Sequence, residues 1–233
     1  MRIVLVAVAL AALAGPLAAE PAINEGALVL DRYLTRSTAQ RDHLKGTVAQ
    51  VNIEAEVPRL NKKGRLSALR HISSLGRLTY DVLRFEGDNS VRNHVIARYL
   101  AAEVNETGER SIGVTPENYK FSYKGRREFD GRAAYLFELK PRAKRKGLFK
   151  GTLWIDAETC LPVREAGRLV KNPSVFIKRV EFTRDYRIQD GRAMVARLET
   201  TVQTRIAGPA YMKVHYTTPR LEAAAEAAAD NQE

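Results

Sequence analysis

Alternation of apolar and polar residues with a period of two runs through most of the chain. In "VNIEAEV", residues 51–57, Val51, Ile53, Ala55 and Val57 alternate with Asn52, Glu54 and Glu56. That pattern predicts an antiparallel strand with one wet face. Residues 65–86 read as two further strands joined near "SSLG". From Tyr119 onward the signal is almost wholly β. "YKFSYK" puts Tyr119, Phe121 and Tyr123 on one face, and "AAYLFELK" returns with Tyr135, Phe137 and Leu139 in step. Asp130-Gly131 between them predicts a tight hairpin turn, since such turns need positive φ. Asp190-Gly191 does the same between "VEFTRDYRI" and "MVARLETTVQTRI", where Met194, Ala196, Leu198, Val202 and Ile206 are the apolar set. A last strand, "YMKVHYT", follows the Gly208-Pro209 break.

Two stretches change period. Ile23, Ala27, Leu30 and Leu34 recur at helical spacing, which predicts a helix over about 24–42 with Asn24 as its cap. Val91, Val95 and Tyr99, with Ile96 and Leu100 beside them, predict a second over 89–104, capped by Asn89 or Ser90. No linker or repeat divides the chain, so residues 20–220 read as one domain. "LEAAAEAAADNQE", 221–233, is a low-complexity tail.

The N-terminus adds a destination. Arg2 precedes the apolar run "IVLVAVALAALAGPLAA", which ends in small residues. A basic start, a short apolar centre and a small-residue exit predict a secretory signal peptide over 1–19, cleaved after about Ala19. The expected location is periplasmic. No cysteine stands near the cleavage point to carry a lipid anchor.

Composition then narrows the chemistry. The 233 residues hold 38 bases and 27 acids, a formal charge of +11. Such a balance suits nucleic acid, but export replaces that partner with anionic lipids or acidic proteins. The single cysteine, Cys160, can form no intramolecular disulfide. It falls in a turn and is expected to be an exposed bystander. The four histidines lie far apart, with no metal-ligand spacing. No phosphate loop, nucleophile elbow or CxxC is present. An enzyme is not expected, and neither is a cofactor or a metal.

"KGLFKGTLWIDAETCLPVREAG", 146–167, reads as strand, turn, strand. Phe149, Leu153 and Ile155 share one face; Lys150, Thr152, Trp154 and Asp156 share the other. Trp154 is either a sheet-packing residue or a ligand-contacting aromatic. With Tyr119, Phe121, Tyr123 and Phe137 it makes up the candidate core or apolar-cavity set. Just before it, Arg142, Lys144, Arg145 and Lys146 form a basic cluster, which is either a solvated loop or a contact for anionic headgroups or an acidic partner.

Taken together, these elements resemble the LolA/LolB-like superfamily, in particular its outer-membrane lipoprotein-sorting proteins. The likeness rests on the hairpin phrase carried by Leu153, Trp154, Ile155, Asp156, Thr159, Pro162 and Arg164. It implies a mainly β (α+β) fold, an antiparallel sheet curled into an incomplete half-barrel with helices covering the open side. It also implies an exported carrier or binding protein that holds acyl chains of a lipid or lipoprotein in an apolar cavity, with a role in outer-membrane lipoprotein sorting. The alternative is an envelope regulatory or interaction module of the same fold that binds a partner protein.

Overall fold

The computed structural model describes residues 24–106 and 112–221. The leader expected over 1–19 and the tail from 222 onward lie outside the described residues. Helix α1 (Glu25–His43) opens the chain, and the Asn24 side chain accepts the Ala27 amide at 3.3 Å. Three strands follow, β1 (Thr47–Val57), β2 (Lys62–Ile72) and β3 (Leu78–Gly87). The second helical stretch is α2 (Asn89–Val91), a π-helical turn (Arg92–Ile96) and α3 (Ala97–Glu106) in continuous succession. A meander then runs through β4 (Tyr119–Phe129), β5 (Arg132–Pro141), β6 (Phe149–Asp156) and β7 (Pro162–Leu169). It ends with β8 (Ile177–Gln189), β9 (Arg192–Thr204), β10 (Pro209–Tyr216) and the short β11 (Arg220–Leu221).

All of these strands pair antiparallel in one sheet, ordered β3-β2-β1-β10-β9-β8-β7-β6-β5-β4, with β11 on β1. β3 and β4 end the order without meeting, so the sheet is an open half-barrel. Leu221, read as the first residue of the tail, pairs with Thr47. Both Asp-Gly pairs make two-residue turns: φ is 51° and 75° at Asp130 and Gly131, and 52° and 70° at Asp190 and Gly191. Residues that flank them, Phe129 with Arg132 and Gln189 with Arg192, are cross-strand partners.

Curvature comes from irregular pairing. The register shifts at Ser67/Ala68, Tyr123/Arg126, Trp154/Ile155 and Asp185/Tyr186. Each such bulge bends its strand and adds right-handed twist. The apolar alternation picks which face becomes concave. Val51, Ile53, Ala55 and Val57 are buried there, and the register continues them into Met212, Val214 and Leu198.

Two apolar clusters divide the concave face. One joins β1, β2, β9 and β10 to Val91 and Ile96 of the second helical stretch. The other joins β4 to β6, Leu148 and Cys160 to Val29 and Tyr33 of α1. Phe182 of β8 packs against both.

The helices differ from expectation in their details. α1 turns Gly26, Val29 and Tyr33 inward and leaves Ala27 exposed, so its buried stripe is rotated from the predicted one. A Cβ at Gly26 would lie 2.8 Å from Tyr123, so the glycine sets how close α1 comes to β4. The cap of the second helical stretch is Asp88, ahead of the expected Asn89 or Ser90; its carboxylate accepts the Ser90 amide at 2.7 Å. Cys160 is not exposed. It is 5% accessible inside the α1 cluster, at a left-handed φ of 55°. The Asp156 carboxylate accepts the Thr159 amide and hydroxyl, both at 2.7 Å, and folds the turn so that Cys160 faces inward.

Candidate functional site

The strip of concave floor between the two helices is built by β8 and β9. Cross-strand pairing places Phe182 beside Thr200, Arg184 beside Leu198 and Tyr186 beside Val195. Because side chains alternate, Phe182, Arg184 and Tyr186 all point to the concave side. Arg184 is anchored on the buried carboxylate of Glu165, and yet its side chain keeps 39% of its surface accessible. An anchored but accessible side chain on the concave side marks a stretch of floor that the helices leave uncovered. Phe182, Tyr186, Thr200 and Val202 on the same floor are likewise only partly buried.

The chemistry of this floor is mixed. Arg184 donates to Glu165 of β7 at 3.0 Å and lies 5.7 Å from the Phe182 ring centroid. Burial disfavours its charge, but the neighbouring Tyr186 and Glu165 more than offset that, and its pKa stands well above the ordinary value. Burial also holds the Tyr186 phenol well above its ordinary pKa. Toward α3, the Tyr99 and Tyr216 hydroxyls share a 2.7 Å hydrogen bond. Beyond them Glu103 accepts from Tyr80 at 2.5 Å and from Arg70 at 3.1 Å, tying α3 to β2 and β3. On the other side Tyr123 donates to Glu25 of α1 at 2.6 Å. Both helices are therefore seated by a few apolar anchors and by polar bridges at their margins.

The residues singled out in the sequence fall in three places. Tyr119 and Phe137 are buried in the α1 cluster, and Phe121 and Tyr123 pack against it from its partly exposed edge. Trp154 stands on the opposite, convex face. Its ring lies 5.3 Å from Phe129, which in turn carries the Arg164 guanidinium at 4.7 Å. It belongs to neither concave cluster, because its place in the alternation is one residue out of step with Leu153 and Ile155.

The basic cluster is split. Arg142 donates to the Pro116 carbonyl at 2.7 Å and Arg145 to Asn118 at 2.5 Å, so both are pinned to the 116–118 turn. Lys144 borders a cleft of about 500 Å³. Lys146 is exposed. Phe182, Arg184, Glu165 and Tyr186 were not among the candidates legible in the sequence. The one available signal was an arginine and a tyrosine at the inward positions of "VEFTRDYRI", where an ordinary core strand would carry aliphatics. Among the described residues no three of His, Cys, Asp and Glu gather to hold a metal ion, and no helix is long and apolar enough to cross a membrane.

An open antiparallel half-barrel with helices seated on its concave face is the class of protein that this fold defines. No family model and no curated protein matches the chain. Among solved structures it is similar to a DUF1329 family protein from Desulfovibrio piger, at 13% identity and a TM-score of 0.49, over 84% of this chain and 92% of that one. It is also similar to a LolA superfamily protein from Nitrosomonas europaea, at 11% identity and a TM-score of 0.42, over 82% and 93%. An outer membrane lipoprotein-sorting protein domain from Vibrio parahaemolyticus aligns at 12% identity and a TM-score of 0.41, over 83% and 92%. Each is a likeness of fold.

Proposed function

We propose that this chain is an exported carrier or binding protein that receives acyl chains of a lipid or lipoprotein in the hollow between its helices. The observation that supports this reading is the partly accessible floor of Phe182, Arg184, Tyr186 and Thr200, on a concave face that is otherwise apolar. An acyl chain needs a dry wall, which the two clusters offer, and its polar end needs hydrogen-bond partners, which the tyrosines and the Arg184–Glu165 pair offer. The open sheet supports it too. Unjoined β3 and β4 let the helices lift without breaking a closed barrel.

Native mass spectrometry of protein taken from a membrane-containing lysate tests the reading directly. Protein carrying a releasable lipid mass is the expected result. Thr200→Trp, placed on the floor next to Phe182, should fill the hollow and abolish uptake of a fluorescent fatty acid while the fold persists. Apoprotein alone from the lysate, together with fatty-acid uptake indifferent to Thr200→Trp, would remove the proposal.

A further inference from the structure

The antiparallel order gives the half-barrel two unlike rims. Loops after β1, β5, β7 and β9 share one rim, because those strands all run the same way. Four large apolar side chains stand out from it: Val175 (77% exposed), Ile206 (73%), Phe176 (61%) and Leu60 (50%). Their loops are fastened to one another. Arg205 donates its amide to the Phe176 carbonyl at 2.9 Å and its Nε to the Val175 carbonyl at 2.8 Å. Arg59 donates to the Ile206 carbonyl at 3.3 Å. The apolar tips are thus held out by a braced frame, with arginines at their base.

The same rim carries an excess of positive charge. The cleft of about 500 Å³ beside Phe176 is bordered by Lys178 and Arg179 from β8, by Arg142 and Lys144 from the β5–β6 loop, and by Lys140, Lys150 and Arg168 from the strands. Lys150 and Arg168 are direct cross-strand partners, and Lys120 faces Lys140 in the same way. Like charges set opposite one another destabilise a sheet, so their convergence points to an anionic occupant. The carboxylates nearby are few and engaged. Glu181 pairs with Arg179 and lies across from Arg168, and Glu138 accepts from Lys124 at 3.0 Å beside Lys140 and Lys150. Asp88 lies 3.4 Å from Lys62, and Glu117 sits beside Arg142. The other rim is different. Its two tight turns carry Asp130 and Asp190, and its exposed large apolar residues among the described ones are Leu75 and Leu221, the latter paired to the start of β1.

Apolar tips surrounded by bases match one surface, the interface of an anionic bilayer, where apolar side chains enter the acyl boundary and cations meet phosphates. We infer that this rim docks the protein on anionic membranes, with Val175, Phe176 and Ile206 entering the interface and Lys144, Lys178 and Arg168 meeting the phosphates. The inference stands on rim residues alone, so it is separable from the acyl-chain reading, whose test is the lipid content of the soluble protein.

Vesicle flotation decides it. The full chain is expected to float with phosphatidylethanolamine/phosphatidylglycerol vesicles and to stay behind with phosphatidylcholine vesicles. Phe176→Ser with Ile206→Ser should weaken flotation by about tenfold or more, from the lost apolar burial. Lys144→Glu with Lys178→Glu should weaken it at least as strongly and remove most of its salt sensitivity. All four positions are exposed, so thermal midpoints should hold, and they serve as the folding control. A tryptophan at the tip, Phe176→Trp, should shift to the blue on anionic vesicles and be quenched by brominated chains. Flotation unchanged by either pair, equal flotation on neutral vesicles, or binding of an acidic peptide with no uptake by vesicles would each overturn the inference.

Discussion

At the scale of the residue, two positions show how little room this fold leaves. Gly151 and Gly167 face each other between β6 and β7. A Cβ at Gly151 would come within 2.0 Å of the Ala166 carbonyl oxygen, which is backbone and has no slack. Gly151→Ala should therefore destabilise by about 3 kcal/mol, as over-packing does when the neighbour is rigid; urea denaturation reads the loss. Cys160 is the second position. Burial in the α1 cluster means that Cys160→Ser places a hydroxyl among aliphatic and aromatic side chains. The expected cost is about 1–3 kcal/mol, and a thiol reagent should label wild-type Cys160 only at the rate of unfolding. The sequence placed Cys160 in its turn correctly. It could not show that Asp156 would fold that turn inward.

At the scale of the element, the seating of the helices sets the response to alkali. Burial, above all, holds Tyr119 and Tyr216 at about 12. A phenol raised in the folded state keeps its proton while the unfolded chain begins to lose its own near pH 10. Its contribution is thus fully present below about pH 10 and is lost as the pH rises through about 12. Stability followed by urea melts should fall steeply across that window, and Tyr119→Phe and Tyr216→Phe should each flatten the fall. The bridge from α3 to the sheet gives a separate test. Glu103→Ala leaves the mostly buried Arg70 without its carboxylate. Removing one partner of such a pair costs about 3 kcal/mol. Amide exchange should then accelerate in α3 and in the part of β3 around Tyr80 before it does in β8.

At the scale of the whole molecule, Phe182 is the seam. Its contacts with both apolar clusters mean that neither half of the sheet keeps its core when the other opens. Heat should give one transition, with Trp154 fluorescence in the β4–β7 half coinciding with loss of helix signal. Phe182→Ala, expected to cost about 3 kcal/mol, should lower both signals together. Separated transitions would mean two units in place of one.

Local rules were enough for much of this architecture. Period-two alternation in 51–57 and 119–140 depends only on which side chains avoid water, and it marked the strands and their buried faces. Asp130-Gly131 and Asp190-Gly191 placed hairpins because positive φ is a property of those residues themselves. Asn24 capped α1 for a similarly local reason. The concave floor was of another kind. Arg184, Glu165 and Tyr186 come from two strands and look like ordinary polar residues of wet faces until the bulge at Asp185/Tyr186 and the curl of the sheet bring them between the helices. The rim was also hidden. Leu60, Phe176 and Ile206 lie far apart in the chain, and so do Lys144, Arg168 and Lys178; only antiparallel order brings their loops to one end. Alternation and turn chemistry act between neighbours in sequence, so the sequence by itself determined the strands and the hairpins. Curvature and strand order act between distant segments, and the tertiary structure alone decided what the concave floor encloses and which rim is both greasy and basic.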